Sequence, residues 1–230
     1  MVSGSLSHPL DRPVWHSLSG GWSALAQGDA HARRIDPLYG PFGAAADDSA
    51  ASRAALAALV PETGQLWLVG PDAMIPLPGV TVMRTAMLAQ MVAPSITPAA
   101  SATPAWATLD ESDAEEMRAL ALLTRPGPFA PRTHRLGRFI GVREHGQLIA
   151  MAGERMALPG FTEVSGVCTH PDWCGRGLAS ALMRIVAQAI LDRGETPFLH
   201  AYAAHDRTIA LYRTLGFGVR AELPMMAVTR

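Results

Sequence analysis

Residues 162–179 read TEVSGVCTHPDWCGRGLA, and this stretch decides the fold class. Residues 162–171 are rich in β-branched side chains and indicate a strand. From Leu178 onward, apolar residues recur on one helical stripe that ends near Gly194. The stretch therefore predicts a strand that turns tightly into a helix through a glycine-containing loop.

The loop before this helix has the features of a phosphate site. The first N–H groups of a helix have no intrahelical partner, and the helix dipole places positive charge there. Gly175 and Gly177 would let phosphate oxygens approach a backbone that a Cβ would shield. The Gly-Lys-Ser/Thr ending of a P-loop and the Gly-x-Gly-x-x-Gly spacing of a dinucleotide fold are both missing. The pattern therefore excludes a nucleoside triphosphate at this loop.

The flanking sequence predicts further strands and helices around this unit. Residues 138–143 and 147–156 flank a turn at His145-Gly146, as in an antiparallel hairpin. Downstream, we expect a strand at 198–203, a short helix at 207–215 closed by Gly216, and one or two strands from Phe217 onward. The order is hairpin, strand, helix, strand, helix, strand.

A segment rich in Pro, Ser, Thr and Ala at residues 93–107 divides the chain. We predict an N-terminal α/β half at residues 1–100 and a second domain at residues 101–230. Short apolar strands would have little cover in an isolated first half, so we expect the two halves to pack together.

Local patterns predict several elements on both sides of this segment. Asp48 and Ser49 could cap an Ala-rich helix that ends before Pro61, and strands follow at 65–69 and 80–92. In the second half, residues 112–115 have the spacing of a capping box for a helix that Pro126 stops.

Composition restricts the classes of partner. The chain has 19 Lys and Arg against 20 Asp and Glu, for a net charge of -1, so a nucleic-acid binder is not expected. The two cysteines are six positions apart, which is a poor disulfide framework and fits a reducing compartment. With neither a secretory signal nor a membrane span in the sequence, we expect a cytoplasmic protein.

Two motifs resemble those of the GNAT superfamily of acetyltransferases. The family's pyrophosphate loop reads Arg/Gln-x-x-Gly-x-Gly/Ala, and Gly177 and Ala179 match it here. A late helix of the family reads Ala/Thr-Ile-x-Leu-Tyr-x-x-Leu-Gly-Phe, and residues 208–217 read TIALYRTLGF. Cys174 stands where the family usually has Arg or Gln, and His205 where it often has Asn.

This resemblance, over roughly residues 110–228, implies an α/β (α+β) fold with a mixed, mostly antiparallel sheet flanked by helices. It also implies that acetyl-CoA or another acyl-CoA binds between the splayed fourth and fifth strands of the family fold. The first half lies outside the match, where a degenerate GNAT-like copy is an open alternative. The expected coenzyme contacts are Val167, Cys168, Thr169, Cys174, Gly175, Arg176, Gly177, Leu178, Ala179 and His205.

Acyl transfer to an amine requires a proton acceptor and a proton donor. An alkylamine has a pKa near ~10, so a base must remove its proton. Glu163 is the candidate base, and burial in a cleft would raise its pKa toward neutrality. Resemblance implies that Tyr212 protonates the departing thiolate and that N–H groups of Val167 to Thr169 polarise the thioester. The alternatives are a solvated Glu163 and a Tyr212 that only packs.

Cys168, His170 and Cys174 also permit a zinc hypothesis, because residues two apart on a strand share a face. No fourth ligand is evident in the sequence, and we expect no metal. Covalent catalysis by Cys174 is a further alternative, although the resemblance implies direct transfer.

The acceptor is expected to be a primary amine of a small molecule or peptide. Residues 124–133 would form an acceptor-facing loop, and Arg132 and Glu154 could contact a charged acceptor. A homo-oligomer is compatible with the sequence. The chain is thus predicted to be an N-acyltransferase, and the competing hypothesis is a catalytically silent acyl-CoA-binding or regulatory module.

Overall fold

The computed structural model describes residues 8–74, 76–99 and 103–230. Over these residues the chain forms two sheets, a large one and a small one. The strands are Ala26–Gly28 (β1), Ala32–Ile35 (β2), Gly43–Ala45 (β3), Leu66–Val69 (β4), Thr81–Val92 (β5), Ala107–Leu109 (β6), Phe139–Glu144 (β7), Gln147–Leu158 (β8), Phe161–Thr169 (β9), Thr196–Tyr202 (β10) and Gly218–Thr229 (β11).

The same residues form α-helices and short 3-10 turns. The α-helices are Pro13–Ser19 (α1), Ala50–Ala58 (α2), Ala114–Thr124 (α3), Leu178–Asp192 (α4) and Asp206–Thr214 (α5). The 3-10 turns are Pro9–Asp11, Ser23–Leu25, Pro71–Met74, Glu111–Asp113, Thr133–Leu136 and Pro171–Trp173. No helix in the described part of the chain is both long and apolar enough to cross a bilayer.

The large sheet carries the fold. Its strand order is β4-β11-β5-β10-β9-β8-β7-β6, and every neighbouring pair is antiparallel except β9 and β10, which are parallel. The expected mixed, mostly antiparallel sheet flanked by helices is therefore confirmed. The small sheet, β1-β2-β3, belongs to the N-terminal part of the chain.

A strand of the N-terminal half lies inside the large sheet. β5 pairs with β10 through residues 88–92 on one side and with β11 along its whole length on the other. The expected packing of the two halves is confirmed, because backbone hydrogen bonds join them into one sheet. The division at residue 100 stays a prediction, and the sheet is continuous across it.

Most predicted helix ends agree with the structure, with one exception. Ser49 caps α2 by accepting a hydrogen bond from Ser52 N, as expected. The capping box predicted at residues 112–115 is wrong: Asp110 and Asp113 form it two residues earlier, where a 3-10 turn leads into α3. Arg125, with a φ of 51°, ends α3 directly before Pro126.

The core between α4 and the sheet fixes the central strands. α4 buries an apolar stripe of Leu182, Met183, Val186, Ala187 and Ile190, which recur at helical spacing. This stripe packs in one cluster with buried residues of β5, β8, β9 and β10. The helix that follows the glycine loop therefore packs against the central strands, including β9, from which the loop leads.

We expect Met91→Ala in β5 to lower the free energy of unfolding by ~2–5 kcal/mol, because the side chain is fully buried in this cluster. Met83→Ala, on the same strand but 56% exposed, is the matched control and should change stability little. Urea unfolding of both variants measures the difference. Equal effects would mean that β5 does not anchor the two halves.

Candidate functional site

A cleft opens where β9 and β10 separate. The two parallel strands pair at only three positions, the last of which joins Glu163 to Phe198. Beyond that pair, the edge of β9 that faces β10 has no backbone partner on β10. The resulting cavity has a volume of about 260 Å³ and is lined from both strands, from α4 and from α5.

A bulge turns part of β9 into this cleft. Ser165 pairs with Gly153 and Cys168 with Met151, so β9 has two residues where β8 has one. Gly166, with a φ of 62°, takes the left-handed conformation, and a Cβ there would lie 2.7 Å from the Phe139 ring. The bulge therefore requires glycine.

Beyond the bulge, successive side chains of β9 lie on opposite faces of the sheet. Val167 lines the cleft, whereas Cys168 packs on the opposite face among residues of α3 and β8. Burial raises the pKa of the Cys168 thiol to about 11, so it stays protonated at neutral pH. Cys168 is not among the residues that line the cleft, so its predicted contact with the coenzyme is not supported by its side-chain position. The Thr169 Oγ1 is buried and finds no hydrogen-bond partner among the described residues.

Glu163 lies at the fork of the two strands and is 1% exposed. A second register shift, in β8, brings Arg155 opposite it. Arg155 Nε and Nη2 donate to the two carboxylate oxygens at 2.8 and 2.9 Å, and His200 Nδ1 lies 2.9 Å from Oε1. Both carboxylate oxygens of Glu163 therefore accept hydrogen bonds.

This environment overturns one expectation about Glu163. Burial does favour the neutral acid and is the largest single effect, but the Arg155 charge and the hydrogen bonds from His200 and Arg155 together outweigh it. The pKa of Glu163 is lowered to about 2 instead of being raised toward neutrality. The prediction of a raised pKa was wrong, because it considered burial without its partners.

The polar chain continues from Glu163 across the sheet. His200 Nε2 lies 3.2 Å from the Gln90 amide nitrogen, which also donates to the Leu10 carbonyl at 2.9 Å. Arg220 Nη1 donates to Gln90 Oε1 at 2.9 Å, so both neighbours fix the orientation of the amide. Gln90 must therefore donate to His200, and His200 carries its proton on Nδ1, where it donates to Glu163.

The predicted coenzyme loop joins β9 to α4, two elements that line the cleft, although residues 174–179 are not themselves among its lining residues. Gly175 and Gly177 have φ values of 78° and 76°, and open space surrounds the position of a Cβ at each. Gly177 is the N-cap of α4, and Leu178 and Ala179 open the helix. The N–H groups of this first turn have no intrahelical acceptor.

Two exposed side chains flank these glycines. The Arg176 guanidinium lies 4.2 Å from the centre of the Trp173 ring. Cys174 Sγ is 3.6 Å from the His170 carbonyl oxygen. Their predicted contacts with the coenzyme stay predictions. No group of three or more His, Cys, Asp and Glu within the described ranges could hold a metal ion.

α5 contributes the opposite wall of the cleft. Both Tyr212 and His205, the N-cap of the helix, line the cavity. The His205 ring contacts Tyr202 edge to face at 5.2 Å. Burial raises the pKa of the Tyr212 hydroxyl, so the phenol is protonated at neutral pH and can donate.

The two predicted acceptor contacts lie elsewhere. Glu154 is nearly buried and forms a bidentate pair with Arg193 at 3.0 and 3.1 Å, on the side away from the cleft lining. Arg132 is exposed, and neither residue lines a cavity of the described chain. Their positions do not support that prediction. The predicted loop does reach the cleft, through residues 125–128.

An outer chamber of about 470 Å³ adjoins the cleft beside the loop that follows α3. The chamber and the cleft share the lining residues Trp67, Arg125, Gly127, Pro128 and Tyr202. Pro41, Gln65 and Arg84 complete the lining of the chamber. Sequence reasoning placed Arg125, Gly127 and Pro128 in an acceptor-facing loop but missed Pro41, Gln65, Trp67 and Arg84, which belong to the N-terminal half, where no motif was found.

Comparison with known proteins agrees with this geometry. The FR47-like protein family model matches residues 139–224. A protein from Novosphingobium aromaticivorans, assigned to the acetyltransferases of the GNAT family, is 47% identical, with a TM-score of 0.89 over 97% of this chain and 99% of its own. No curated protein matches the sequence.

Two more distant structures have the same fold. A GCN5-related N-acetyltransferase from Kribbella flavida is 20% identical, with a TM-score of 0.64 over 94% of each chain. A GCN5-related N-acetyltransferase-like protein from Streptococcus suis is 18% identical, with a TM-score of 0.61 over 97% of this chain and 94% of its own. Together with the high identity to the Novosphingobium protein, the splayed strands and the glycine loop place this chain in the GNAT superfamily of acetyltransferases.

Proposed function

We propose that the protein transfers an acetyl group from acetyl-CoA directly to a primary amine of a small molecule or peptide. The observation that carries this proposal is the cleft between β9 and β10. It is lined by the bulge of β9, by Met183 of α4 and by Tyr212 of α5, and it adjoins an outer chamber with which it shares lining residues. We place the coenzyme on the α4 side of this cleft and the acceptor on the chamber side, so that both meet in one ternary complex.

The residues of the loop fit a pyrophosphate. Gly175 and Gly177 leave free the space that side chains would fill, and the first N–H groups of α4 have no helical acceptor. Arg176 adds a positive charge beside them. We place the pantetheine arm along the unpaired edge of β9, where N–H and C=O groups of residues 167–169 can bind amide groups.

When bound, the acyl-CoA supplies the activated acyl group, whose C–S bond breaks as the C–N bond to the amine forms. The backbone N–H groups beside the bulge orient the carbonyl and stabilise charge on its oxygen. Tyr212 donates its proton to the leaving sulfur. The proton lost by the amine nitrogen passes to water in the cleft.

We assign Glu163 a positioning role instead of the role of a direct base. A carboxylate with a pKa of about 2 accepts a proton poorly, and Arg155 and His200 already occupy its oxygens. Its position at the fork supports a different task. It holds β8, β9 and β10 in the register that opens the cleft.

A CoA-release assay with acetyl-CoA and a panel of amines tests the proposed activity. Transfer to at least one primary amine supports an enzyme. Tight binding of acetyl-CoA without turnover on any amine would instead favour the silent binding module. The exposed Cys174, at the place where the family usually has a longer polar residue, keeps that second candidate relevant.

Gly177→Glu should abolish binding of acetyl-CoA, because it puts a side chain and a negative charge where we place the pyrophosphate. Gly177→Ala should weaken binding less, since it adds crowding without charge. Calorimetric titration of the folded variants measures both. Gly160→Glu is the matched control: its φ of 77° gives the same backbone strain in an open turn between β8 and β9. Wild-type affinity in Gly177→Glu would refute this placement of the coenzyme.

Tyr212→Phe should lower turnover by about tenfold or more, because it removes the proton donor. The affinity for acetyl-CoA should stay nearly unchanged, since the ring keeps its contact with Phe217. Steady-state rates and calorimetric titration measure the two quantities separately. An unchanged rate, with chemistry shown to be rate-limiting, would reduce Tyr212 to a packing residue.

Glu163→Gln should destabilise the protein by ~3–5 kcal/mol at neutral pH, because it leaves the charge of Arg155 without its carboxylate. The folded-state pKa of Glu163 is about 2 against an ordinary 4.5, so its contribution is present above pH 4.5 and is lost as the pH falls toward 2. Denaturant unfolding between pH 2 and 7 should show this loss in the wild type and a much smaller one in the variant.

Glu62→Gln is the control for this measurement. Glu62 pairs with Arg230 at 3.5 Å on the surface and is largely exposed, so its loss should change stability little. A Glu163→Gln variant as stable as this control at neutral pH would contradict the positioning role.

A further inference from the structure

The lining of the outer chamber carries positive charge only. The chamber is lined by Trp67, Arg125, Gly127, Pro128, Tyr202, Pro41, Gln65 and Arg84. Arg84 and Arg125 are its two charged lining residues, and its described lining contains no Asp or Glu. The single carboxylate of the adjoining cleft, Glu163, is already paired with Arg155. The acceptor side therefore offers two cations to a ligand and no free anion.

Neither arginine side chain has an ion-pair or hydrogen-bond partner within the described part of the chain. Arg84 and Arg125 form no ion pair there and donate no side-chain hydrogen bond. Other arginines at the site differ, since Arg155 is paired with Glu163 and Arg220 with Asp11. The Arg84 guanidinium lies 4.5 Å from the centre of the Tyr202 ring, which holds it against the chamber wall. Its hydrogen-bond donors stay available to a ligand.

Arg125 occupies a backbone position that usually favours glycine. Its φ is 51° at the C-terminal end of α3, where a glycine would relieve the strain, and Pro126 follows it. The other non-glycine residue with positive φ in the described ranges is His145, in a hairpin turn. A position at which glycine would suit the backbone better thus carries an arginine at the mouth of the cleft, and that arginine lines the chamber.

The rest of the chamber is apolar or aromatic. Trp67 and Tyr202 face it from β4 and β10, and Pro41 and Pro128 provide rigid walls. Trp67 Nε1 donates to Gln65 Oε1 at 3.1 Å, so the indole nitrogen is satisfied and the ring presents a largely apolar surface. A ligand in this chamber should therefore combine an apolar body with an anionic group.

We propose that the acceptor is a primary amine that also carries a carboxylate, on an apolar or aromatic body. The carboxylate binds Arg84 and Arg125 in the outer chamber, the body lies between Trp67 and Tyr202, and the amine points into the cleft toward β9. Guanidinium and carboxylate groups match in charge and in hydrogen-bond geometry. This inference rests on the proposed acetyl transfer and narrows its acceptor class.

The test compares acceptors that differ only in this charge. We would use 4-(aminomethyl)benzoate with 4-(aminomethyl)benzamide, and 5-aminopentanoate with its amide, because the distant substitution changes the amine pKa little. With wild-type protein and acetyl-CoA, kcat/KM for the carboxylates should exceed that for the amides by about tenfold or more, the scale of a charge-assisted pair. Equal values for both members of each pair would overturn the inference and leave acetyl transfer intact.

Variants of the two arginines assign the effect to the chamber. Arg84→Gln and Arg125→Gly should each raise KM for the carboxylates by about tenfold while the amides keep their values. Arg125→Gly suits the left-handed backbone, so impaired folding is not expected to obscure the result. Arg118→Gln, on the exposed face of α3 and outside every described cavity lining, is the control. A carboxylate preference that survives in both variants would refute this placement.

Binding gives a readout that does not need turnover. Calorimetric titration of 4-(aminomethyl)benzoate into the acetyl-CoA-free protein should show binding that weakens about tenfold in Arg84→Gln and in Arg125→Gly, but not in Arg118→Gln. If no amine is acetylated while this binding is found, the proposed transfer fails and the carboxylate site stands. If the ligand does not bind the wild type, or binds all three variants equally well, the site fails.

Discussion

The ion pair between Arg155 and Glu163 is the interaction on which the rest of the site depends. Burying the charged Glu163 carboxylate, which is 1% exposed, would cost much free energy without partners. Its partners come from different strands, Arg155 from β8 and His200 from β10. Gln90 of β5 and Arg220 of β11 extend the same chain of hydrogen bonds. A shift of any of these strands by one residue would leave a buried polar group unpaired. The network thus fixes the register of five strands, and with it the point at which β9 and β10 part.

This arrangement also separates charge along the cleft. The carboxylate at the fork is neutralised, so the interior around the bulge of β9 holds no free charge from Glu163. Positive charge lies outside it instead, at Arg84 and Arg125 in the adjoining chamber and at the opening of α4, which follows β9 in sequence. An uncharged middle suits a reaction in which a neutral nitrogen must attack, since a free buried carboxylate there would hold the amine as an ammonium ion.

Elements that depend on residues close in sequence could be predicted from the sequence. Contacts that depend on the register between strands could not. The strand, glycine loop and α4 follow from local patterns, and so do the bend after Thr124 and the hairpin at His145-Gly146. Residues 110–113 and 112–115 both carry a capping pattern, and only packing decides between them. The partners of Glu163 could not be found, because Arg155 reaches it through a bulge and His200 lies 37 residues away. Arg84 was missed for the same reason: nothing in its own strand marks the chamber that β4, β10 and the loop after α3 create around it.

The position of β5 has a consequence for how the chain acquires its structure. This strand lies between β10 and β11 in space, yet all elements from β6 to α5 lie between it and β11 in sequence. During synthesis β5 leaves the ribosome well before either neighbour exists, and Leu88 and Met91, which the folded sheet buries, are then uncovered on an unpaired strand. Closing the sheet then requires contacts of very large sequence separation, which slow the folding of β-rich topologies. The large sheet of this protein can therefore close only after the last strand has emerged.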